Sequence, residues 1–236
     1  MLKYTKFNKS LKGCADYMKK FLVILIIVSL FCGSTANAAS KKITSKGSII
    51  SSGSTYKFGK YEGTIEWIVL HIDAEENRAL LLSNNILFYA PYNVQRTSVT
   101  WEICSLRKFL NKDFYNRCFN SKERARILDT TLLTGRNITT DKIFLLSLSE
   151  LRDYLPKEES RRCSDLIPES FFNSRNPPMG RNSWWLRSPG GTASKALRVA
   201  SSGSVNLAGQ DVNWDNGVRP ALWLSLSEKS NKRTSK

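Results

Sequence analysis

The stretch IEWIVLHIDAEENRALLLS, Ile65–Ser83, decides the fold. Ile65 to Ile72 is apolar on nearly both faces, which is the pattern of a strand covered on two sides. Asp73 to Asn77 is polar turn sequence, and Arg78 to Ser83 returns with three consecutive leucines. The two runs predict a hairpin near the centre of a sheet. The sole histidine, His71, lies inside the first run and reads as a structural strand residue. A Ser-His-Asp hydrolase or a Cys-His protease would have to be built on that one side chain. A multi-histidine metal centre is excluded by the count.

Downstream of the hairpin the period changes. Thr100 can cap a helix beginning at Trp101, with Glu102 in its first turn. Ile103, Leu106 and Leu110 predict its buried stripe, and Asn111 ends it. Ser121 opens a second helix in SKERARIL, and Ile143 to Leu146 reads as a short buried strand. Ser147 and Glu150 form an S-x-x-E capping box for a third helix, which Pro156 stops. The last third is rich in Gly, Ser and Asn and holds Trp184, Trp185, Trp214 and Trp223. Lys195 to Ala200 and Ser204 to Leu207 read as short strands around the turn Ser201-Ser202-Gly203. Val218 to Leu226 is the closing strand, and Pro220 within it predicts an edge position or a bulge. Strands at both ends with helices between them define an α+β domain. Trp67, Trp101, Leu106, Ile143 and Trp223 are its expected core.

Upstream lies MKKFLVILIIVSLFCGSTANAA, Met18 to Ala39. Lys19 and Lys20 make a basic n-region, Phe21 to Phe31 an apolar h-region, and Ala36-Asn37-Ala38 an A-x-A cleavage pattern. A stretch of eleven residues is too short to span a bilayer, which takes roughly 20 apolar ones. Residues 1–38 are therefore expected to be a secretory signal peptide, with Met18 as its start and Ala39 as the first mature residue. Cys32 follows Phe31 rather than a small residue, which favours a cysteine within the h-region over a lipidated one. Residues 39–55, rich in Ser, Gly and Lys, read as a flexible linker. Residues 56–228 form one globular domain and residues 229–236 a basic tail.

Removing residues 1–38 takes six lysines and one aspartate from 36 basic and 20 acidic residues, which leaves a net charge of +11. Such a balance serves solubility and favours anionic neighbours. Nucleic acid is not an expected partner, because basic and aromatic residues are not interleaved. No transmembrane segment is expected in the mature chain. Cys104, Cys118 and Cys163 remain after cleavage, an odd number in a chain that is not small, so no disulfide framework is expected. Three free thiols, a Cys118–Cys163 bridge (the preferred pairing if one forms) and a bridge from Cys104 all stay open.

Seven segments carry a family resemblance: Phe58–Tyr61, Ile65–Leu70, Thr100–Phe119, Lys142–Glu150, Ser183–Gly191, Ser201–Asn206 and Gly217–Leu224. With W-x-x-C-x-L-R, W-W-L-R-S-P-G and G-V-R-P-A-L-W in this order, residues 56–226 resemble the bacterial domain-of-unknown-function 6273 family. The aromatic, loop-rich last half is also similar to the C-type-lectin-like fold of sulfatase-modifying factors. That resemblance implies a C-type-lectin-like single domain with short helices. Formylglycine-generating enzymes of that fold need paired late cysteines, and this chain has none after Cys163. The iron enzymes of that fold need a histidine cluster, which is also missing.

Asp211, Asn213 and Asp215 alternate in DVNWDNG, as oxygen ligands do in a calcium loop. Gly217 comes one place late and Leu222 stands where a bidentate Glu would be, so an Asx-turn loop is the competing reading. Trp184 and Trp185 should face opposite sides of a strand, one in the core and one partly exposed. Arg187 and Arg219 can fork onto a ligand anion or tie loop carbonyls or an acid such as Asp211. Trp184, Arg187, Asn213, Trp214 and Asp215 are the expected ligand-binding residues, with an extracellular glycan or protein as partner and calcium as the one cofactor candidate. A catalytic alternative would rest on carboxylates such as Glu66 or Asp211, and a structural envelope role would need no ligand.

Overall fold

In the computed structural model, residues 43–45, 48–165 and 181–227 are described. They form a mixed domain with 39% strand and 18% helix, an α+β architecture. The strands are β1 (Ile43–Ser45), β2 (Ser48–Ile50), β3 (Thr55–Lys60), β4 (Thr64–Asp73), β5 (Arg78–Ser83), β6 (Phe88–Pro91), β7 (Thr130–Thr134), β8 (Asn137–Asp141), β9 (Trp184–Pro189), β10 (Lys195–Val199), β11 (Gln210–Asp211), β12 (Asp215–Val218) and β13 (Ala221–Ser225). Among the described residues, one sheet has the order β13-β5-β4-β3 and a second β11-β10-β9-β12-β6, with small β1-β2 and β7-β8 hairpins. The expected central hairpin is present: β4 and β5 pair antiparallel and occupy the middle of the first sheet.

One long ribbon joins the two sheets. β5 runs into β6 and β12 runs into β13, and the two segments pair antiparallel at both ends. Both change sheet at the same corner. There the Ser83 amide donates to the Pro220 carbonyl at 2.9 Å, and Leu87 donates to Val218 at 3.0 Å. Arg219, 1% exposed, donates through Nε to the Ser83 carbonyl at 2.9 Å and lies 4.9 Å from the centre of the Trp184 ring. The expected single strand from Val218 to Leu226 is therefore broken: Val218 ends β12 in one sheet, and Ala221–Ser225 is β13 in the other. Pro220, which cannot donate to a ladder, stands at the break, and β13 takes the edge. Gly217 is needed beside this corner, since a Cβ there would meet Ile86 Cδ1 at 2.5 Å and the Ser183 carbonyl at 2.6 Å.

The main helical stretch departs from expectation. Its α-helix, α1 (Ser105–Phe109), starts later than expected, capped by the Cys104 sulfur, which accepts from the Arg107 amide. Ile103 consequently lies before the helix and is 54% exposed. Asn111 does not end the helix. The chain continues as a π-helix, Leu110–Phe114, and then as α2, Tyr115–Cys118. Leu106, Leu110, Phe114 and Cys118 form the buried stripe, every fourth residue. A run of α turns would rotate such a stripe off the core, and the wider π turn brings it back. Asn111 is used sideways: its Oδ1 accepts from the Lys142 and Ile143 amides at 2.7 and 3.1 Å, and its Nδ2 donates to the Ile143 carbonyl at 2.8 Å.

The remaining helices are α3 (Ser121–Arg124), α4 (Leu148–Tyr154) and α5 (Glu158–Arg161). The Ser147/Glu150 capping box of α4 is formed as expected. Ile143 to Leu146 is fully buried, but it is a single β-bridge from Phe144 to Ala221 rather than a strand. Ser204 to Leu207 likewise keeps one bridge, from Val205 to Val199. Within the expected linker, β1 and β2 pair and Ile50 is 2% exposed, so apolar anchoring begins before Tyr56. Trp67, Trp101, Leu106 and Ile143 are buried as expected. Trp223 is half-buried instead, because edge strand β13 leaves it under the Arg78 guanidinium, 4.5 Å from its ring centre.

Cys104, Cys118 and Cys163 are all free, so the Cys118–Cys163 bridge is not formed. Burial pushes the Cys104 thiol up to about 12 and the Cys118 thiol to about 11. A chain of residues 39–236, unreduced and denatured, should therefore titrate all three thiols. In the folded state at pH 8, Cys104 and Cys118 should stay largely protonated and react far more slowly with a thiol reagent than after denaturation, since the thiolate is the nucleophile. Fewer than three thiols on denaturation would contradict the free state.

Candidate functional site

The ribbon ends where the sequence placed its binding loop. β6 and β12 close with Pro91 opposite Asp215. Beyond them, the Asn93 amide donates to the Val212 carbonyl at 2.9 Å, and Arg96 reaches Asp211 at 3.3 Å. Val212 is fully buried and pins the loop, while the Trp214 amide closes a turn onto the Asp211 carbonyl at 3.2 Å. That leaves Asn213 exposed, Asp215 half-buried and the Trp214 ring 39% exposed.

Beside this loop lies an apolar groove of about 230 Å³. Phe88, Ala90 and Pro91 of β6 form one wall, Ser105, Leu106 and Phe109 of α1 the other, and Val94 stands at the rim, 71% exposed. The Ser105 hydroxyl accepts from the Val94 amide at 3.0 Å and so fixes the rim to the helix. The groove escapes sequence reading. Its residues come from separate segments, and short apolar stretches such as Phe88–Pro91 look like core.

Two of the expected site residues point elsewhere. Trp184 is fully buried, and its Nε1 donates to the Arg161 carbonyl at 3.1 Å. Trp185 is equally buried and donates to the Ala90 carbonyl at 2.9 Å, so β9 is covered on both faces. Arg187 is 3% exposed. It pairs with Glu150, donating through Nη2 to Oε1 at 2.9 Å and through Nη1 to Oε2, and it also donates to the Leu145 carbonyl at 2.8 Å and the Thr134 hydroxyl at 3.0 Å. It ties carbonyls and an acid, as one of its two sequence readings has it, but the acid is Glu150 and not Asp211.

The calcium candidates fare differently. Asp211 is engaged by the largely exposed Arg96 guanidinium at 3.3 Å. Among the described residues no group of three or more His, Cys, Asp or Glu is placed to hold a metal. Glu66 and Asp211 lie in different sheets, and each has a cationic partner, Lys57 at 3.3 Å and Arg96 at 3.3 Å. His71 is exposed on β4, 5.7 Å from the Tyr154 ring and edge-on to Trp223. Among the described residues no helix is long and apolar enough to cross a membrane.

Residues 76–226 match the profile of the family described as Domain of unknown function (DUF6273), and the chain belongs to that family. The match takes in both ends of the ribbon and all the groove residues, while Phe58–Tyr61 and Ile65–Leu70 lie before it. A search of curated proteins found no match, and neither did a search of solved structures.

Proposed function

We propose that this is an exported, non-catalytic binding domain on a C-type-lectin-like core, and that its binding face is the loop Asn213–Trp214–Asp215 with the adjoining groove. The observation that carries the reading is Trp214, held 39% exposed on a loop whose neighbour Val212 is fully buried. An amphipathic ring presented on a pinned backbone contributes contact area at low ordering cost. The loop-rich last half supports the lectin-like comparison, and the Lys19-Lys20, Phe21–Phe31 and Ala36-x-Ala38 pattern supports export. The ligand class is an extracellular glycan or protein. Calcium held by Asp211, Asn213 and Asp215 would compete with Arg96 for the Asp211 carboxylate.

The test is a screen of protein recovered from the medium against glycans and surface proteins, with and without calcium, alongside Trp214→Ala. The variant should bind its ligand at least about tenfold more weakly, as an aromatic hot spot does, with its melting transition almost unmoved. Equal binding by wild type and variant sinks this face. The recovered protein should begin at or near Ala39, and a chain starting at a lipidated Cys32 would overturn the export reading.

A further inference from the structure

Two arginines are buried among the described residues, and their charges are met differently. Arg187 has Glu150. Arg219 forms no ion pair among the described residues. Its Nε donates to the Ser83 carbonyl at 2.9 Å, its Nη1 reaches the Arg161 carbonyl only at 3.5 Å, and its Nη2 has no oxygen acceptor there. Asp165 is close in the chain, but it is held by Arg181 at 3.1 Å and by the Tyr89 hydroxyl at 2.6 Å. A buried cation without a counter-charge is costly. What faces this guanidinium is the Cys163 sulfur, to which it donates a hydrogen bond. The Ile86 amide also points at that sulfur. Thiol sulfur is a weak acceptor, so these donors are poorly used. We propose that Cys163 is an oxidation site, and that its sulfinate, made by a hydroperoxide, is the counter-ion that Arg219 lacks.

Access singles out this thiol. Cys104 and Cys118 are buried, whereas Cys163 is half-buried. In the first step the sulfur attacks the peroxide: an S–O bond forms, the O–O bond breaks, and the thiol proton leaves with the departing oxygen as water or an alcohol. The sulfur is oxidised to a sulfenic acid and the peroxide is reduced. All three described cysteines are free, so no resolving thiol is at hand to divert the sulfenic acid into a disulfide. A second peroxide transfers another oxygen in the same way, and the sulfinic acid loses its proton to solvent. Burial pushes the resting thiol up, while Arg219 and the Ile86 amide pull it down and Asp165 opposes them. The first step is therefore slow, and the gain comes in the product, a permanent anion beside a buried cation. Arg219 fastens the corner where both sheets exchange strands, so oxidation should tighten that corner.

The experiment treats the folded full chain with hydrogen peroxide and follows each cysteine by peptide mass mapping. Cys163 should gain two oxygens at least about fivefold faster than Cys104 and Cys118 are oxidised. Measured against Cys163→Ser protein treated in the same way, the oxidised chain should melt at least about 3 °C higher. Cys163→Asp sets a carboxylate in the same place and should melt at least about 3 °C above the isosteric, uncharged Cys163→Asn. Oxidation of Cys163 no faster than that of the two buried thiols overturns the proposal. So does arrest at one oxygen, a melting temperature unchanged or lowered by oxidation, or a Cys163→Asp variant no more stable than Cys163→Asn. If neither variant folds, the rate and melting shift of the wild-type chain decide alone.

Discussion

Trp101→Ala should lower the unfolding free energy by about 3–5 kcal/mol, the usual loss for an aromatic truncated in a core. Trp101 is 1% exposed and packs at 6.0 Å ring separation against Tyr92, which is itself buried. Its indole also donates to Asp141 Oδ2 at 2.8 Å, and Asp141 is buried. Truncation thus leaves both a cavity and a carboxylate oxygen short of a donor, although Thr139 and Arg107 remain on Asp141. Trp101→Phe should cost clearly less, because it keeps most of the volume and loses the hydrogen bond. Denaturant melts of the two variants check this. A loss below about 1 kcal/mol for the alanine variant would mean that the turn before α1 contributes little to the core.

Glu150→Ala should cost about 3 kcal/mol. Removing one partner of a buried ion pair typically costs ~3–5 kcal/mol, and the value falls at the low end because the Glu150 side chain is 24% exposed. Two functions are lost together. The Arg187 guanidinium, 3% exposed, loses its counter-charge, and the Ser147 amide loses the Glu150 acceptor 2.7 Å away. Glu150→Gln keeps an acceptor for the cap and should recover part of the loss. Glu150→Leu combined with Arg187→Met should be less damaging than Glu150→Ala alone, since no unpaired charge then remains inside. If the double variant proves the least stable of the three in denaturant melts, the pair is more than an internally balanced charge.

Local chemistry was legible in the sequence where one short segment decides the outcome. The β4–β5 hairpin follows from a continuous apolar run, and the Ser147/Glu150 box from a fixed spacing. The helix start was misplaced because Thr100 is a common capping residue and Cys104 an unusual one, and Ile103 went with it. Helical periodicity of 3.6 cannot register a π turn, so Asn111 looked like an end. Val218 to Leu226 hid its corner because Val218 and the apolar run from Ala221 read as one strand, and Arg219 and Pro220 between them are buried like their neighbours. At the site, the loop around Trp214 showed itself by composition. Arg187 could not reveal its partner, since Glu150 lies 37 residues away on a different element.

The shared ribbon bears on how tightly any ligand can be held. Since the strands that end at Pro91 and Asp215 are the same chains that, past the corner, make up half of the four-stranded sheet, the loop carrying Trp214 is braced through both sheets. It sits at the end of a stiff lever. A partner docking there, as proposed, would meet a surface already ordered by the fold, so little of the contact energy would be lost to immobilising the receptor.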